Sequence, residues 1–149
     1  GCETVMDAFN TPAIEKFVND MVAEEVIPMI EEDQAELKEF AAGILERFYN
    51  PYIRHMLISI ALNSVSKFKV RVLPSILEYK KRFGKYPETL IFSFAKLIDF
   101  YMTDMTNDDP EVTAFMKSAS VAEILANDKL WGEDLSFLES EVSKYVVNK

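Results

Sequence analysis

Three polar side chains near the middle of the chain, Arg47, Asn50 and His55, are of types that bind small anions or hydroxyl groups. Arg47 and Asn50 are three residues apart, so they share a helix face where the helix reaches that far. A guanidinium suits a carboxylate, an amide suits hydroxyl groups, and the only histidine adds a ring donor or acceptor. This spacing predicts either a corner of helical packing or half of a binding site for a carboxylate or polyhydroxy ligand.

The element expected to position these side chains is a helix-to-helix corner at Asn50 and Pro51. Pro51 disfavours helical backbone at the residue before it, so the first helix is predicted to end near Asn50. Asn50 would then cap a second helix with Pro51 at its first position, and His55 would lie one turn into that helix. The free N–H groups of this helix would point back toward Arg47 and Asn50.

Apolar residues recur at helical spacing along nearly the whole chain and predict a single all-α domain with seven or eight helices. Helix starts are predicted at Thr11, Asp33, Pro87 and Asp109, and a left-handed helix end at Gly84. A last helix is expected over 136–147. The residues predicted to face the core include Leu90, Ile91, Phe94, Ala95, Ile98, Tyr101 and Trp131.

The charges are distributed unevenly within a formal net charge of −9. Residues 47–85 contain nine basic residues and one acidic residue, a net charge of +8, whereas the remainder contains seven basic and 24 acidic residues, a net charge of −17. A concentrated positive region on an acidic protein attracts small anions. The alternative is solvated helix faces that pair with the acidic flanks, which we favour for residues 80–85 because they follow a long helix.

Composition excludes several classes of function. The four glycines are far apart, so a glycine-rich phosphate loop cannot form, and one cysteine with one histidine cannot make a Cys/His zinc site. We expect no metal. The strong acidity and the lack of a stacking-aromatic motif argue against nucleic acid, and no apolar run is long enough for a membrane span. A single cysteine favours a reducing, cytoplasmic setting.

Two short motifs in residues 46–79 are similar to those of a known family. The shared residues are Arg47, Phe48, Asn50, Pro51, Ser66, Lys67, Leu73 and Pro74. This set resembles the C-terminal domain of the polyol-specific long-chain dehydrogenases, which include mannitol dehydrogenase, fructuronate reductase and tagaturonate reductase (altronate oxidoreductase). The mannitol branch usually reads Asp-Gly-Ser at 63–65, whereas "LNSVSKF" at 62–68 is more similar to the tagaturonate reductase branch.

The resemblance implies a multi-helical C-terminal domain of the kind found in 6-phosphogluconate dehydrogenase-like and mannitol dehydrogenase enzymes. In this family an N-terminal Rossmann-like domain binds NAD, and the helical domain forms much of the substrate pocket. Catalysis uses a Lys-x4-Asn-x2-His motif and no metal; this sequence lacks the motif, and family order places it upstream. We therefore expect residues 1–149 to be one substrate-binding domain, a fragment without the nucleotide-binding domain and inactive alone.

The resemblance also implies substrate-binding residues. The family's substrate arginine corresponds to Arg47, with Asn50 beside it, while His55 occupies a substrate-facing position and Lys67 belongs to the shared serine-lysine element. The positive segment favours a sugar acid over a neutral polyol, because a hexuronate carries a carboxylate that these cations would neutralise.

The expected function is therefore NAD-dependent interconversion of tagaturonate and altronate in hexuronate catabolism. The expected partners are a hexuronate or polyol substrate and the protein's own N-terminal nucleotide-binding domain. One alternative is a domain of a mannitol dehydrogenase or a fructuronate reductase. Another is a free-standing helical interaction domain without catalysis.

Overall fold

A computed structural model describes residues 1–105 and 108–148 of the chain. These residues fold into α-helices joined by short turns, which confirms the predicted all-α class. The α-helices are α1 (Val5–Phe9), α2 (Pro12–Met21), α3 (Gln34–Glu46), α4 (Leu57–Ile60), α5 (Ser64–Arg71), α6 (Leu73–Phe83), α7 (Glu88–Phe100), α8 (Pro110–Ser118), α9 (Val121–Ala126), α10 (Asp128–Trp131) and α11 (Glu139–Val142). Single turns of other helix types occupy Val22–Val26, Ile27–Met29, Arg47–Tyr49 and Ser136–Leu138.

The hydrophobic core surrounds α7. Each residue predicted to face inward on this helix is buried, as is Trp131, which donates a hydrogen bond from its indole nitrogen to the Ile124 carbonyl at 2.7 Å. The Phe94 ring packs against Phe68 of α5 and Trp131 of α10, with centroid distances of 4.6 and 4.9 Å. The core therefore joins the middle of the chain to its C-terminal third.

One buried carboxylate helps to hold the N-terminal third to this core, together with contacts such as that between the Phe17 and Phe92 rings. No residue of α2 or α3 is fully buried. Glu25, in the turn that follows α2, is buried, and its two oxygens accept hydrogen bonds from the backbone N–H groups of Thr89 and Leu90 at 2.6 and 2.9 Å. These two groups belong to the first turn of α7, which has no intrahelical acceptor for them. A side chain from another element thus caps the central helix.

Most helix ends lie where local signals place them. The Asp33 and Asp109 carboxylates each accept two backbone N–H bonds at the starts of α3 and α8, and Pro12 opens α2. Gly84 ends α6 with φ of +71°, a conformation that glycine adopts without steric cost. These ends depend only on residues within one turn, which is why the sequence predicts them.

Two predictions about the helices are corrected. The described residues contain eleven α-helices rather than seven or eight, because one-turn helices such as α10 form between an Asn127 cap and a left-handed Gly132. The expected last helix over 136–147 ends early: its α-helical part is α11, which ends at Val142. The chain beyond it bonds to Asp99 instead of continuing the helix.

Asp99 clamps the C-terminal segment onto α7. Its buried carboxylate accepts backbone hydrogen bonds from Val147 and Asn148, both at 3.0 Å, and one from Lys96 Nζ at 2.8 Å. Burial raises the pKa of Asp99. The hydrogen bonds from Lys96, Asn148 and Val147 together lower this pKa by more than burial raises it, so the pKa lies below the ordinary value. A depressed pKa means that the folded chain favours the ionised form.

We expect Asp99→Asn to lower the free energy of unfolding at neutral pH by about 1–3 kcal/mol, because charge-assisted bonds are lost. This contribution is complete above the unfolded-state pKa of about 3.9 and disappears as pH falls through the lower folded-state pKa. Urea unfolding at pH 7 and at successively lower pH measures it. The fully exposed Asp104, changed to Asn, is the control. A difference between Asp99→Asn and the unchanged chain that stays constant with acidification would contradict this prediction.

Candidate functional site

The main candidate site is an open cavity of about 570 Å³ between α4, α5 and α7, with Met21 of α2 at one side. Its lining is mainly aliphatic and aromatic. The lining residues are Met21, Leu57, Ile60, Ala61, Ser64, Lys67, Phe68, Arg71, Val72, Leu90, Ser93, Leu97 and Phe100. An apolar cavity with a few convergent polar groups is the usual form of a small-molecule site.

The polar groups of the cavity are two cations and two hydroxyls. Lys67 is half-buried, and its Nζ donates to the Ile60 carbonyl at 2.8 Å, which leaves further ammonium protons for a ligand. Arg71 lies one turn beyond Lys67 on α5. Ser64 and Ser93 donate to the backbone carbonyls of Ala61 and Thr89, so their oxygens can still accept. Two positive charges therefore lie beside an apolar surface.

The cavity contains no compensating negative charge within the part of the chain that the structure describes. None of its lining residues is acidic. Apolar walls lower the effective dielectric constant, so an anion placed near Lys67 interacts more strongly with it than in bulk water. The cavity is thus electrostatically suited to an anion that carries apolar or weakly polar groups beside its charge.

Arg47 lies elsewhere, on an exposed groove of about 310 Å³ along α3. Glu36, Glu39, Phe40, Gly43 and Ile44 line this groove with it. Among residues 1–105 and 108–148, no carboxylate lies within the 4.0 Å needed for an ion pair with Arg47, so its guanidinium is not sealed in the interior. The structure does not bring Arg47 into the cavity of Lys67.

The predicted helix start at Asn50 and Pro51 is wrong. After the turn Arg47–Tyr49 the chain makes a bend in which the Asn50 side-chain oxygen accepts a bond from the Tyr52 N–H at 2.9 Å. The next helix, α4, starts at Leu57. The helix that follows the corner therefore does not begin beside Asn50, contrary to the prediction. At this corner the Phe48 and Tyr49 rings pack against the Phe9 ring of α1, with centroid distances of 4.8 and 5.7 Å.

His55 lies before α4 in an extended segment and not inside a helix, which corrects the expected position. Its carbonyl accepts a bond from the Val5 N–H at 3.0 Å, and Thr4 and Met56 form an antiparallel bridge beside it. The imidazole is exposed. His55 is thus fixed through its backbone, and its side chain does not share a cavity with Lys67.

The sequence-based prediction missed the other polar members of the cavity, Ser64, Arg71 and Ser93. Arg71 follows Lys67 by four residues, so helical spacing alone places the two on one face. Ser93 could not be found from the sequence, because it reaches the cavity only through the packing of α7 against α5. No group of three or more His, Cys, Asp and Glu side chains in the described residues is arranged to hold a metal ion.

Comparison with known families identifies this helical domain. The family model of the mannitol dehydrogenase C-terminal domain matches residues 1–148. The chain belongs to this family, which confirms the resemblance read from residues 46–79. No helix in the described residues has the length and apolarity needed to cross a membrane.

Several bacterial relatives are named altronate oxidoreductase. The protein of Bacillus subtilis (strain 168) is 40% identical over 147 residues, covering 91% of this chain and 30% of that protein. The protein of Pectobacterium atrosepticum is 36% identical over 148 residues, covering 99% and 29%. That of Escherichia coli O1:K1 / APEC is 45% identical over 101 residues, covering 68% and 21%. The chain spans at most about 30% of the length of these curated relatives.

Proposed function

We propose that this chain forms the substrate-side domain of an NAD-dependent oxidoreductase that interconverts tagaturonate and altronate. The observation that carries the proposal is the acid-free cavity around Lys67, in a chain similar over most of its length to altronate oxidoreductases. In this role the domain binds and orients the sugar acid. Lys67 neutralises negative charge, and the apolar walls exclude water from the bound sugar.

The residues of this chain do not fit the nicotinamide cofactor. Its four glycines are separated, so the described helices offer no glycine-rich loop to cradle a pyrophosphate. We assign NAD to a nucleotide-binding domain elsewhere in a longer protein, together with the Lys-x4-Asn-x2-His motif. The whole enzyme is proposed to act in the cytoplasm.

Arg47, Asn50 and His55 form a separate part of the proposal. Their side chains lie on exposed or half-exposed surface, outside the Lys67 cavity. They would contact the substrate only if another domain presents it to that surface. Glu36 and Glu39 beside Arg47 disfavour a carboxylate there, so we expect Arg47 to contribute less than Lys67.

A chimeric enzyme tests the proposed activity. The aligned segment of the Bacillus subtilis altronate oxidoreductase would be replaced by this chain, and NADH oxidation would be followed with tagaturonate, fructuronate and fructose. We expect a folded chimera to prefer tagaturonate. A folded chimera that prefers fructose would identify a mannitol dehydrogenase domain, and one that prefers fructuronate would identify a fructuronate reductase domain. Circular dichroism establishes folding in each case.

In this chimera, Lys67→Gln is expected to lower kcat/KM for tagaturonate about ten- to a hundredfold, because a charge-assisted hydrogen bond is lost. Arg47→Gln is expected to lower it less than about threefold, in line with weak surface interactions. Steady-state kinetics with both variants measure the two effects. If Arg47→Gln lowered kcat/KM more than Lys67→Gln, the carboxylate site would be assigned to the groove of α3 instead.

The isolated chain is expected to be inactive, since the proposed catalytic motif and cofactor domain lie outside it. NADH oxidation by the purified chain with tagaturonate is the measurement, and turnover above a heat-denatured control would contradict this expectation. A chain that bound neither altronate nor tagaturonate would favour a helical interaction domain instead.

A further inference from the structure

Arg71, like Arg47, lacks an acidic partner among the described residues, in contrast to the other two arginines of the basic segment. Arg54 pairs with Glu3 at 3.3 Å, and Arg82 pairs with Glu78 and Glu31 at 2.6 and 2.9 Å. For Arg71, residues 1–105 and 108–148 provide no carboxylate within 4.0 Å. Arg71 is among the residues that line the Lys67 cavity, and it is exposed, so its guanidinium is accessible to an external anion.

Arg71 lies close to a second cation, and no acidic residue of the described chain lines the cavity to reduce the repulsion between them. Lys67 and Arg71 are four residues apart on α5, and like charges at this spacing repel each other. Arg71 gains some stabilisation as the last residue of α5, since cations favour the C-terminal end of a helix. This stabilisation by the helix end would be the same if the Arg71 side chain did not line the cavity. An anion bound between the two cations would remove the repulsion.

A carboxylate suits the two cations better than other small anionic groups attached to a sugar. The planar guanidinium presents parallel N–H donors that match both oxygens of a carboxylate, whereas an ammonium acts as a point charge. Lys67 already donates one hydrogen bond to Ile60 and retains protons for a second ligand atom. The neighbouring Phe68 and Leu97 walls provide an apolar surface for the carbon chain of the sugar.

The geometry points to Arg71 as the residue that binds the carboxylate of the sugar acid and makes the cavity select hexuronates over neutral sugars. Lys67 then contacts the same carboxylate or the adjacent hydroxyl. This inference rests on the proposed function, and it adds the residue that sets substrate class. The α3 groove is expected to be a poorer carboxylate site, because two glutamates line that groove with Arg47, whereas no acid lines the cavity.

Binding to the 149-residue chain tests the assignment. Altronate and its neutral counterpart altritol, which has a hydroxymethyl group in place of the carboxylate, would each be titrated into ¹⁵N-labelled protein at up to tens of millimolar. We expect altronate to shift the Arg71 Nε–H signal and to bind about tenfold or more tightly than altritol. Equal affinities, or no shift at Arg71, would overturn the assignment.

Substitutions distinguish the contribution of Arg71 to the altronate preference from that of other nearby cations. Arg71→Gln is expected to remove the preference for altronate, and Arg71→Lys to keep part of it because the charge remains without the fork. Lys81→Gln is the control, because this substitution removes the same formal charge from an exposed residue that lies outside the cavity. A preference for altronate that survives Arg71→Gln would reject the role of Arg71.

Turnover in the chimera distinguishes failure of this inference from failure of the proposed function. The ratio of kcat/KM for tagaturonate to that for neutral tagatose would be compared before and after Arg71→Gln. A fall of about tenfold or more in this ratio supports the assignment. A chimera that reduces tagaturonate with an unchanged ratio keeps the proposed function and rejects Arg71. A folded chimera with no turnover of tagaturonate counts against the proposed function itself, while the titration still decides whether Arg71 binds carboxylates.

Discussion

Phe94→Ala is expected to lower the free energy of unfolding by about 3–5 kcal/mol, the range found when a buried aromatic side chain is truncated. The Phe94 side chain is fully buried in α7, and it contacts the rings of Phe68 and Trp131. Truncation removes apolar contact area and leaves a void that rigid neighbouring helices can fill only in part. The Phe68 ring loses its contact with the Phe94 ring, and Phe68 lines the Lys67 cavity.

Urea unfolding followed by tryptophan fluorescence measures this loss, because the single Trp131 lies in the same cluster. Phe137→Ala is the matched control: half of Phe137 is exposed, so we expect a change within about 0.5 kcal/mol. A loss below about 1 kcal/mol for Phe94→Ala would show that the helices close around the void. It would also mean that the core is less rigid than the packing of its rings indicates.

The sequence predicted those parts of the fold that depend on short-range signals. Gly84, Asp33 and Asp109 act within one helical turn, and the apolar spacing of α7 alone identifies its buried face. The prediction failed at Asn50 and Pro51, where the outcome depends on contacts about fifty residues apart. Backbone bonds join Val5 to His55 and Leu57 to Glu3, and they hold this segment extended where a helix was expected.

The candidate site shows the same division between local and distant effects. The serine-lysine element singled out Lys67, which lines the cavity, and helical spacing would have placed the missed Arg71 beside it. Helical spacing also places Glu36 and Glu39 on the face of α3 that carries Arg47, an unfavourable setting for a carboxylate that the charge count over 47–85 did not reveal. The walls of the cavity could not be predicted, because α2, α4, α5 and α7 meet there only in the folded chain.

Glu25→Ala is expected to lower the free energy of unfolding by about 3–5 kcal/mol, because two charge-assisted hydrogen bonds are lost together. The Thr89 and Leu90 N–H groups would lose their acceptor at the start of α7, where no helical carbonyl can replace it. Leu90 also lines the Lys67 cavity, so loosening of this turn would alter the cavity wall.

Two further variants separate the loss of the Glu25 hydrogen bonds from the general effect of removing a carboxylate side chain. Glu24→Ala is the matched control, since Glu24 precedes Glu25 in the same turn and is exposed; we expect a change within about 0.5 kcal/mol. Glu25→Gln retains the side-chain size but can accept through only one atom, so an intermediate loss is expected. Amide hydrogen exchange then locates the effect: Thr89 and Leu90 should exchange faster in Glu25→Ala, while Ile98, at the far end of α7, should be affected only through global stability. Unchanged protection of Thr89 and Leu90 would mean that other contacts, such as that between the Phe17 and Phe92 rings, hold the start of α7 without this carboxylate.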